Sequence, residues 1–493
     1  NSARAMHSAA YSVPARPLVL ASAAGALLND TEATGHIDSA GSLERADSLS
    51  GAGSLSGAGS NPPSKADSDP FSTFGPASQW FYDISNYESL EGVAGPLRAP
   101  YSDTTPEGEK AYAWFKDAFI EALRADGVPG GAFVVLENGR PVLTVSYGVR
   151  DLRTKSAVTN DTVFPLSSVS KTFAGTLAGL LTEGGTLDLS EPVRTFVPDF
   201  KVGRGKHADG VLLRHVLSHS AGVVPNAYDN LLEAGRPFEE IVPRFDKVNP
   251  MCAPGKCYGY QNIIFSFIKP AIETRTGQTY QALMQEKILG PLGMTNSGVG
   301  YEAFTGRENR ASPHLKVRGA WRGTRLKPYY LGLEPASGMS ASISDLGRWV
   351  GAHMGDRPDV LPSWLRTLIT EHETKTTRER YRRFWRGHVQ DASYGLGWRL
   401  YDFDGADLVY HGGAIQGFRS SVAYAPDDGV GIAMLANGDT RVLDQLGAEF
   451  WTRVLKEKAK ARMRADASPV SATQQVSATS TAKPAAVRPL PAR

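Results

Sequence analysis

The chain is poor in cysteine, with two among its 493 residues, Cys252 and Cys257. This scarcity excludes a scaffold built on disulfides, so a chain of this length must be held together by a large buried core. The two cysteines flank the turn-like sequence Ala-Pro-Gly-Lys and can form a disulfide in an oxidising compartment; the alternative is two reduced thiols in a turn. Closing so small a loop contributes about 2 kcal/mol by chain entropy. Its place three residues before Tyr260 leads to the hypothesis of a local clamp on that tyrosine.

Strong charge and long apolar runs are also missing. The net charge is +2 and the pI about 8.4, which predicts neither nucleic acid nor acidic partners. No run approaches the ~18 apolar residues that a membrane span needs, so no membrane span is predicted. A shorter apolar run, Leu18–Leu28, follows Arg16 and fits both a signal peptide and an alanine-rich linker, so no signal peptide is clearly identified.

Grouped metal ligands are scarce as well. His215 and His219 are four residues apart, a spacing that can bind zinc, but the glutamate of a metalloprotease helix is absent. No second cysteine or histidine pair lies near Cys252 and Cys257 in the sequence. We therefore predict no metal site and no cofactor.

Composition divides the chain into four segments. Residues 1–70 are rich in serine, glycine and alanine and contain a tandem Leu-Ser-Gly-Ala-Gly-Ser repeat at 49–60, which predicts disorder because too little apolar surface is available for burial. Residues 71–104 are predicted to form a lead-in, and residues 105–463 are predicted to form the folded domain. Residues 464–493 are predicted to be a disordered basic tail.

Residue periodicity predicts an α+β fold. Strand patterns occur near both ends of this domain, and an Asn138-Gly139 hairpin signal separates the first two of them. Helical patterns occur at both ends too, one running from Glu107 to Ala125 and one from Arg441 to Arg462. We expect one antiparallel sheet flanked by helices, with the helix-rich middle of the chain as a second lobe. The predicted strands are Gly131–Leu136, Pro141–Tyr147, Gly395–Tyr401, Leu408–Tyr410, Phe418–Tyr424 and Gly431–Asn437.

The sequence Ser168-Val169-Ser170-Lys171 carries the strongest chemical signal. A helix is predicted from Thr172 to Glu183 and is stopped by Gly184-Gly185. Ser168 and Lys171 are three residues apart, so their side chains are neighbours on a helical surface. A serine hydroxyl becomes a nucleophile when a base takes its proton, and a lysine with a lowered pKa can be that base. The alternative is a helix-capping serine followed by a solvated lysine.

Tyr260-Gln261-Asn262 forms a second group, placed after a Pro-Gly turn and before an apolar run. A tyrosine phenol can relay a proton, and an asparagine amide can bind a substrate carbonyl and orient the lysine. The alternative is a tyrosine at the start of a helix, with Asn262 satisfying loop backbone.

His411-Gly412-Gly413 forms a third group, predicted between two strands. The glycines would let a substrate lie against a strand edge, and Ala414 would present its N–H to it. The alternative is a hairpin turn with a surface histidine. Arg419, on the next strand, either binds a substrate carboxylate or faces outward, since strand alternation alone does not decide.

Taken in the order Ser-Lys, Tyr-Asn and His-Gly, these groups resemble the serine β-lactamase and penicillin-binding protein family. The similar branch holds class C β-lactamases, D-alanyl-D-alanine carboxypeptidases, D-aminopeptidases and related esterases. The resemblance covers roughly residues 105–455 and extends to Leu217–Gly222 and Pro291–Met294. It implies structural roles for His215 and His219.

The resemblance assigns roles by position. Ser168 would be acylated, Lys171 and Tyr260 would share general-base duty, and Asn262 would bind the substrate amide. The backbone N–H groups of Ser168 and Ala414 would form the oxyanion hole. His411 stands where class C β-lactamases carry a lysine, which departs from the pattern and disfavours efficient penicillin hydrolysis.

These observations predict a serine hydrolase of the bacterial envelope, periplasmic or secreted, that acts through an acyl-enzyme on a small-molecule or peptide substrate. A D-amino-acid peptidase or D-alanyl-D-alanine carboxypeptidase fits best; a class C-like β-lactamase, a short-chain esterase and a penicillin-binding sensor or scaffold without turnover are alternatives. The basic, aromatic stretch Lys375–His388 either contacts anionic envelope polymers or forms a solvated helix packed on the domain, and the helix is favoured.

Overall fold

A computed structural model describes residues 104–466, so the predictions for the Leu18–Leu28 run, the tandem repeat and most of both terminal segments lie outside the described residues. The strands are β1 (Gly130–Glu137), β2 (Arg140–Gly148), β3 (Phe164–Pro165), β4 (Gly298–Val299), β5 (His314–Val317), β6 (Ala320–Gly323), β7 (Met339–Ala341), β8 (Thr374–Lys375), β9 (Val389–Tyr394), β10 (Arg399–Phe403), β11 (Ala406–Ile415), β12 (Phe418–Ala425) and β13 (Val430–Ala436). The helices are α1 (Pro106–Asp126), α2 (Ser170–Leu180), α3 (Leu213–Leu217), α4 (Asp229–Glu233), α5 (Phe238–Ile241), α6 (Asn262–Phe265), α7 (Ile268–Thr276), α8 (Tyr280–Met284), α9 (Tyr301–Thr305), α10 (Tyr329–Gly332), α11 (Glu334–Ser337), α12 (Ile343–His353), α13 (Ser363–Ile369) and α14 (Val442–Asp466).

One antiparallel sheet joins strands from both ends of the domain, as predicted. Its eight strands run in the order β2-β1-β13-β12-β11-β10-β9-β8. The first strand pairs with the last, from Gly131 opposite Ala436 to Glu137 opposite Val430. The prediction of an α+β fold with one such sheet is confirmed.

Each face of the sheet packs against its own set of helices. On one face, α1 and α14 cover a core that includes Phe115, Phe133 and Phe450. On the other face lie α2, α12 and the helix-rich lobe, with Phe173 and Trp349 stacked at 3.8 Å between ring centroids. Because side chains alternate along a strand, each sheet residue contributes to one core or the other. This alternation determines which side chains of a strand face the helix-rich lobe.

The end helices begin and end where capping chemistry places them. In α1, the Thr105 hydroxyl accepts a hydrogen bond from the Gly108 N–H at 3.0 Å, and Gly127 ends the helix with a φ of 70°. Residues of this type satisfy the free N–H groups of the first turn and adopt the left-handed conformation after the last. In α14 the predicted apolar face is buried, but the helix continues to Asp466. The helix therefore extends four residues beyond its predicted end at Arg462.

Four predicted elements differ from the structure. The strand predicted from Gly395 begins only at Arg399. Helix α2 ends at Leu180, short of Glu183, and Gly184 and Gly185 take φ values of 72° and 75° in the turn that follows. The His411-Gly412-Gly413 group lies inside β11, not between two strands. The stretch Lys375–His388 forms a short 3-10 turn and loop instead of a helix.

Side chains of that basic stretch are drawn into the domain, which explains why no helix forms. The Arg382 guanidinium donates to the Tyr410 hydroxyl at 3.1 Å and to the Asp444 carboxylate at 2.8 Å. Trp385 is fully buried, and its indole N–H donates to the Asp444 carbonyl at 3.2 Å. These contacts with distant elements outweigh local helix propensity.

Candidate active site

The nucleophile candidate lies in a tight turn wedged against the sheet. Ser168 is the middle residue of the 3-10 turn Ser167–Val169, directly before α2. The Ser167 hydroxyl donates to the Ala414 carbonyl at 2.8 Å, and the Ser420 hydroxyl donates to the Leu166 carbonyl at 2.6 Å. This segment, Leu166–Val169, is thus hydrogen-bonded to both β11 and β12, and we call it the nucleophile turn.

Glycine at position 413 makes this close approach possible. A Cβ atom there would lie 2.2 Å from the Leu166 carbonyl oxygen and 2.3 Å from the Ser420 hydroxyl. The space left free by Gly413 is therefore occupied by the protein's own nucleophile turn, whereas the sequence suggested that it admits substrate. The structural reason for the glycine is the position of Ser168.

Lys171 is buried beneath Ser168. Its Nζ lies 3.3 Å from the Ser168 Oγ and donates to the Asn262 Oδ1 at 2.8 Å and to the Ala336 carbonyl at 2.9 Å. Burial lowers the pKa of Lys171 well below its usual value; the Asp229 carboxylate opposes this effect and Arg399 adds to it. Aromatic rings lie close to the amine, with the Tyr260 ring centred 4.8 Å and the Phe265 ring 5.4 Å from Nζ.

Tyr260 and Asn262 come together with the Ser-Lys pair, as the sequence grouping suggested. Burial raises the pKa of Tyr260 to about 12, and Arg399 and a side-chain interaction with Ser168 both counteract the rise. Asn262 begins α6, and its Nδ2 donates to Asp229 at 2.8 Å. One N–H of Asn262 and the partly exposed hydroxyl of Ser168 remain for a substrate.

The His411 side chain is fully buried behind this group, so it is not a surface histidine. Its Nδ1 donates to the Gly412 carbonyl at 2.9 Å, which leaves Nε2 as the acceptor for the Tyr394 hydroxyl at 2.8 Å. Burial, with Arg399 and Lys171 nearby, lowers the pKa of His411 well below its usual value. The imidazole is therefore neutral, and both ring nitrogens are already occupied.

Ala414 offers its backbone to the site. Its carbonyl accepts from Ser167, and in an extended strand the N–H and C=O of one residue point to the same edge. The Ala414 N–H therefore points toward the nucleophile turn. Gly412 and Ala414 are both partly exposed, unlike His411 and Gly413.

Arg419 is the predicted site residue that the structure does not bring to Ser168. Arg419 and Ser420 are consecutive in β12, so their side chains point to opposite faces of the sheet. The Ser420 hydroxyl bonds to the nucleophile turn, and the Arg419 side chain therefore lies on the face away from Ser168. There its guanidinium pairs with Asp439 and donates to the Phe418 carbonyl at 3.0 Å. Of the two interpretations that the sequence left open, the outward one holds.

Two charged residues beside the site, Asp229 and Arg399, were not identified from the sequence, and His219 was assigned only a structural role. Asp229 is buried behind Asn262, and Arg399 lies with its guanidinium carbon 5.4 Å from the Tyr260 ring centroid, paired with Glu379. His219 packs 4.2 Å from the Tyr260 ring, and its Nδ1 accepts from the Gln261 N–H at 3.2 Å. Asp229 and Arg399 have no local motif, since each lies far from its partner in sequence.

The two cysteines are bonded in the structure, with an S–S distance of 2.06 Å. Tyr258 follows Cys257 directly and packs 5.7 Å from the Tyr394 ring, and Gly259 leads on to Tyr260. The closed loop therefore precedes the segment that carries the tyrosine and asparagine.

None of the described helices is long and apolar enough to cross a membrane. The histidine pair considered for zinc has backbone partners in the structure. His215 Nδ1 accepts from the Leu212 N–H at 3.2 Å, while His219 bonds to Gln261 as described above.

Comparison with known proteins agrees with this geometry. The model of the Beta-lactamase family matches residues 115–455. Penicillin-binding protein 4 of Amycolatopsis lactamdurans is 28% identical over 361 residues, covering 71% of this chain and 91% of the relative. A beta-lactamase of Escherichia coli is 25% identical over 346 residues, covering 63% and 84%.

A solved structure shares the fold. The octameric penicillin-binding protein homologue from Pyrococcus abyssi aligns with a TM-score of 0.59 at 22% identity, over 66% of this chain and 73% of that one. The Ser168–Lys171 turn, the Tyr260–Asn262 segment and the edge of β11 thus meet within a fold and a sequence span shared with these proteins. The chain belongs to the serine β-lactamase and penicillin-binding protein family.

Proposed function

We propose that the protein is a serine hydrolase that acts through an acyl-enzyme on an amide or ester bond. The observation that carries the proposal is the hydrogen bonding of Lys171. A neutral amine has two N–H groups and one lone pair. The Asn262 and Ala336 oxygens can only accept, so they take both N–H groups. The lone pair is left facing the Ser168 hydroxyl, 3.3 Å away.

The reaction follows from this arrangement. Ser168 Oγ attacks the substrate carbonyl carbon while its proton passes to Lys171, and the carbonyl oxygen gains negative charge. The N–H groups of Ser168 and Ala414 stabilise that oxyanion. When the scissile bond breaks, the leaving group takes a proton from the Tyr260 hydroxyl, which Lys171 resupplies. Water then hydrolyses the ester on Ser168 by the reverse sequence.

A D-amino-acid peptidase, akin to D-alanyl-D-alanine carboxypeptidases, is the substrate assignment we favour, since some peptidases of the branch that the chain resembles carry a histidine at the position of His411. The neutral, buried His411 offers no cation for a carboxylate, whether of a β-lactam or of a peptide terminus, and Arg419 faces away. This disfavours efficient β-lactam hydrolysis but leaves acylation by penicillin open. A short-chain esterase is the second candidate, since an ester substrate needs no cationic partner.

The setting we propose is the bacterial envelope, periplasmic or secreted, with a small-molecule or peptide substrate. The bonded Cys252 and Cys257 fit an oxidising compartment. The exposed Arg383 and Arg386 of the basic stretch leave room for contact with anionic envelope polymers.

Intact-protein mass spectrometry tests the proposal. Wild type and Ser168→Ala are incubated with benzylpenicillin and followed over time, and both are assayed with p-nitrophenyl acetate, nitrocefin and a D-Ala-D-Ala peptide. We expect one penicillin-sized adduct on wild type alone, slow loss of that adduct, and release of D-alanine from the peptide.

Other results separate the alternatives. Rapid loss of the adduct as penicilloate would identify a β-lactamase, and a permanent adduct without turnover of any substrate would identify a sensor. Turnover of the acetate ester alone would favour an esterase. Turnover retained by Ser168→Ala would refute the mechanism.

A further inference from the structure

The Asp229 carboxylate occupies an unusual place for an acidic group. It is 6% exposed, and one oxygen accepts from the Asn262 Nδ2 at 2.8 Å. The other oxygen has no hydrogen-bond partner among the described residues. A buried carboxylate without a direct counter-ion is costly, so its retention beside an active site calls for a role.

The first consequence concerns the orientation of Asn262. The two ends of an amide are similar in size, and only their hydrogen-bond partners decide which way it faces. An ionised carboxylate can only accept, so Asp229 fixes the Nδ2 end toward itself. The Oδ1 end must then face Lys171, where it takes one of the two N–H groups of the amine.

The second consequence is electrostatic. Burial disfavours the charged form of Lys171, and the Asp229 charge acts against that effect through Asn262. The other charged or titratable groups around Lys171 are Arg399, Tyr260 and two histidines, His219 and His411, whose burial keeps them neutral. Among these, Asp229 is the group that can keep the amine a strong base, because a base whose pKa falls too far accepts protons poorly.

The backbone holds Asp229 in this place. Tyr228, the residue before it, has a left-handed φ of 65°, a conformation that is strained for a bulky residue. The loop is tied to the catalytic segment by the Asn226 N–H, which donates to the Tyr260 carbonyl at 2.8 Å. The Gln261 side chain also donates to the Val224 carbonyl. The loop and the segment carrying Tyr260 and Asn262 are thus held in fixed register.

We propose that Asp229 is a positioning residue, whose buried carboxylate orients the Asn262 amide and through it sets Lys171 to serve as the base for Ser168. The inference rests on the proposed function, because it takes Lys171 to be that base. It extends the Ser-Lys-Tyr-Asn group by one residue that lies 33 positions before Asn262 in the sequence.

The test measures Lys171 directly, without turnover. The protein is labelled with 13Cε-lysine, the Lys171 signal is assigned by its loss in Lys171→Met, and its titration is followed by NMR in wild type and Asp229→Asn. Because the carboxylate raises the pKa of Lys171, we expect the midpoint to fall by about one pH unit or more in Asp229→Asn. Glu233→Gln, which removes a carboxylate one turn along the same helix, is the matched control and should shift it by less than about 0.3 unit.

A second readout applies to the acylation rate. In Asp229→Asn we expect the acidic limb of the pH profile of the acylation rate to move to lower pH. The plateau of that profile should fall about 10- to 100-fold, because Lys171 is no longer held in position as the base. Asp229→Ser removes the same charge in a smaller side chain and replaces Asp229→Asn if that variant unfolds. An unshifted Lys171 midpoint in a folded variant would overturn the inference. Failure of wild type to form an acyl adduct would instead refute the proposed function, and the NMR titration would still decide the role of Asp229.

Discussion

Acidification should destabilise this protein through one buried histidine in α12. His353 is fully buried among the rings of Trp349, Trp398 and Tyr424, and neither of its ring nitrogens has a hydrogen-bond partner among the described residues. Burial lowers the pKa of His353 to about 3, with a smaller effect from Arg366. The unfolded chain binds the proton at an ordinary histidine pKa of about 6.5.

The sign and size follow from linkage. Because the folded state binds fewer protons, the contribution to stability is complete above pH 6.5 and is lost as pH falls toward 3. Each pH unit below 6.5 costs about 1.4 kcal/mol, so at pH 5 the loss is about 2 kcal/mol. Other buried groups titrate in the same range, so the measured quantity is the difference between variant and wild type.

Urea unfolding of wild type, His353→Phe and His353→Gln at pH 7 and pH 5 measures this loss. Neither variant can titrate at position 353. Between pH 7 and pH 5, the free energy of unfolding of each variant should therefore fall by about 2 kcal/mol less than that of wild type. His353→Phe also removes two unpartnered polar atoms, so it should be more stable than His353→Gln at pH 7 by about 1 kcal/mol or more. Equal pH dependence in wild type and both variants would refute the reasoning.

Two further predictions concern the site. Gly413→Ala should lower the melting temperature and reduce the acylation rate by about 100-fold or more, because the new Cβ meets the Leu166 carbonyl and shifts Ser168. Adding Ser420→Ala should recover only part of the lost acylation rate. A Gly413→Ala variant that melts and acylates like wild type would contradict the account. In the Cys252→Ala, Cys257→Ala double variant the free energy of unfolding should fall by about 2 kcal/mol. The acylation rate of the folded variant should fall as well, because the loop adjoins the Tyr260 segment. A fall in stability with an unchanged acylation rate would argue against a clamp on the tyrosine.

Local spacing predicted the parts of the site that lie close together in sequence. Ser168 and Lys171 share one turn and its helix, so a three-residue spacing was enough to pair them. The joint order of the Ser-Lys, Tyr-Asn and His-Gly groups then predicted which distant segments meet. The sheet followed from strand patterns at both ends of the domain, because a short apolar run bounded by turn residues is typical of a buried strand.

The parts that the sequence did not reveal depend on contacts between distant residues. Asp229 and Arg399 gain their roles only from burial beside Lys171 and Tyr260, and isolated acidic or basic residues carry no such signal. The face on which Arg419 lies depends on strand register, since a shift of one residue reverses every side chain. The role of Gly413 depends on the approach of Leu166 from another element.

The pairing of β1 with β13 sets the order in which the reactive centre is assembled during synthesis. The two strands are about 300 positions apart in sequence, from Gly131 opposite Ala436 onward, and such non-local pairing forms late and slowly. The serine emerges early, but its turn is fixed by β11 and β12, near the other end of the domain. A chain released before residue 413 would expose the unpaired edge of β1, a template for aggregation, and would lack a positioned nucleophile. The proposed nucleophile is thus positioned only after nearly the whole domain has been made.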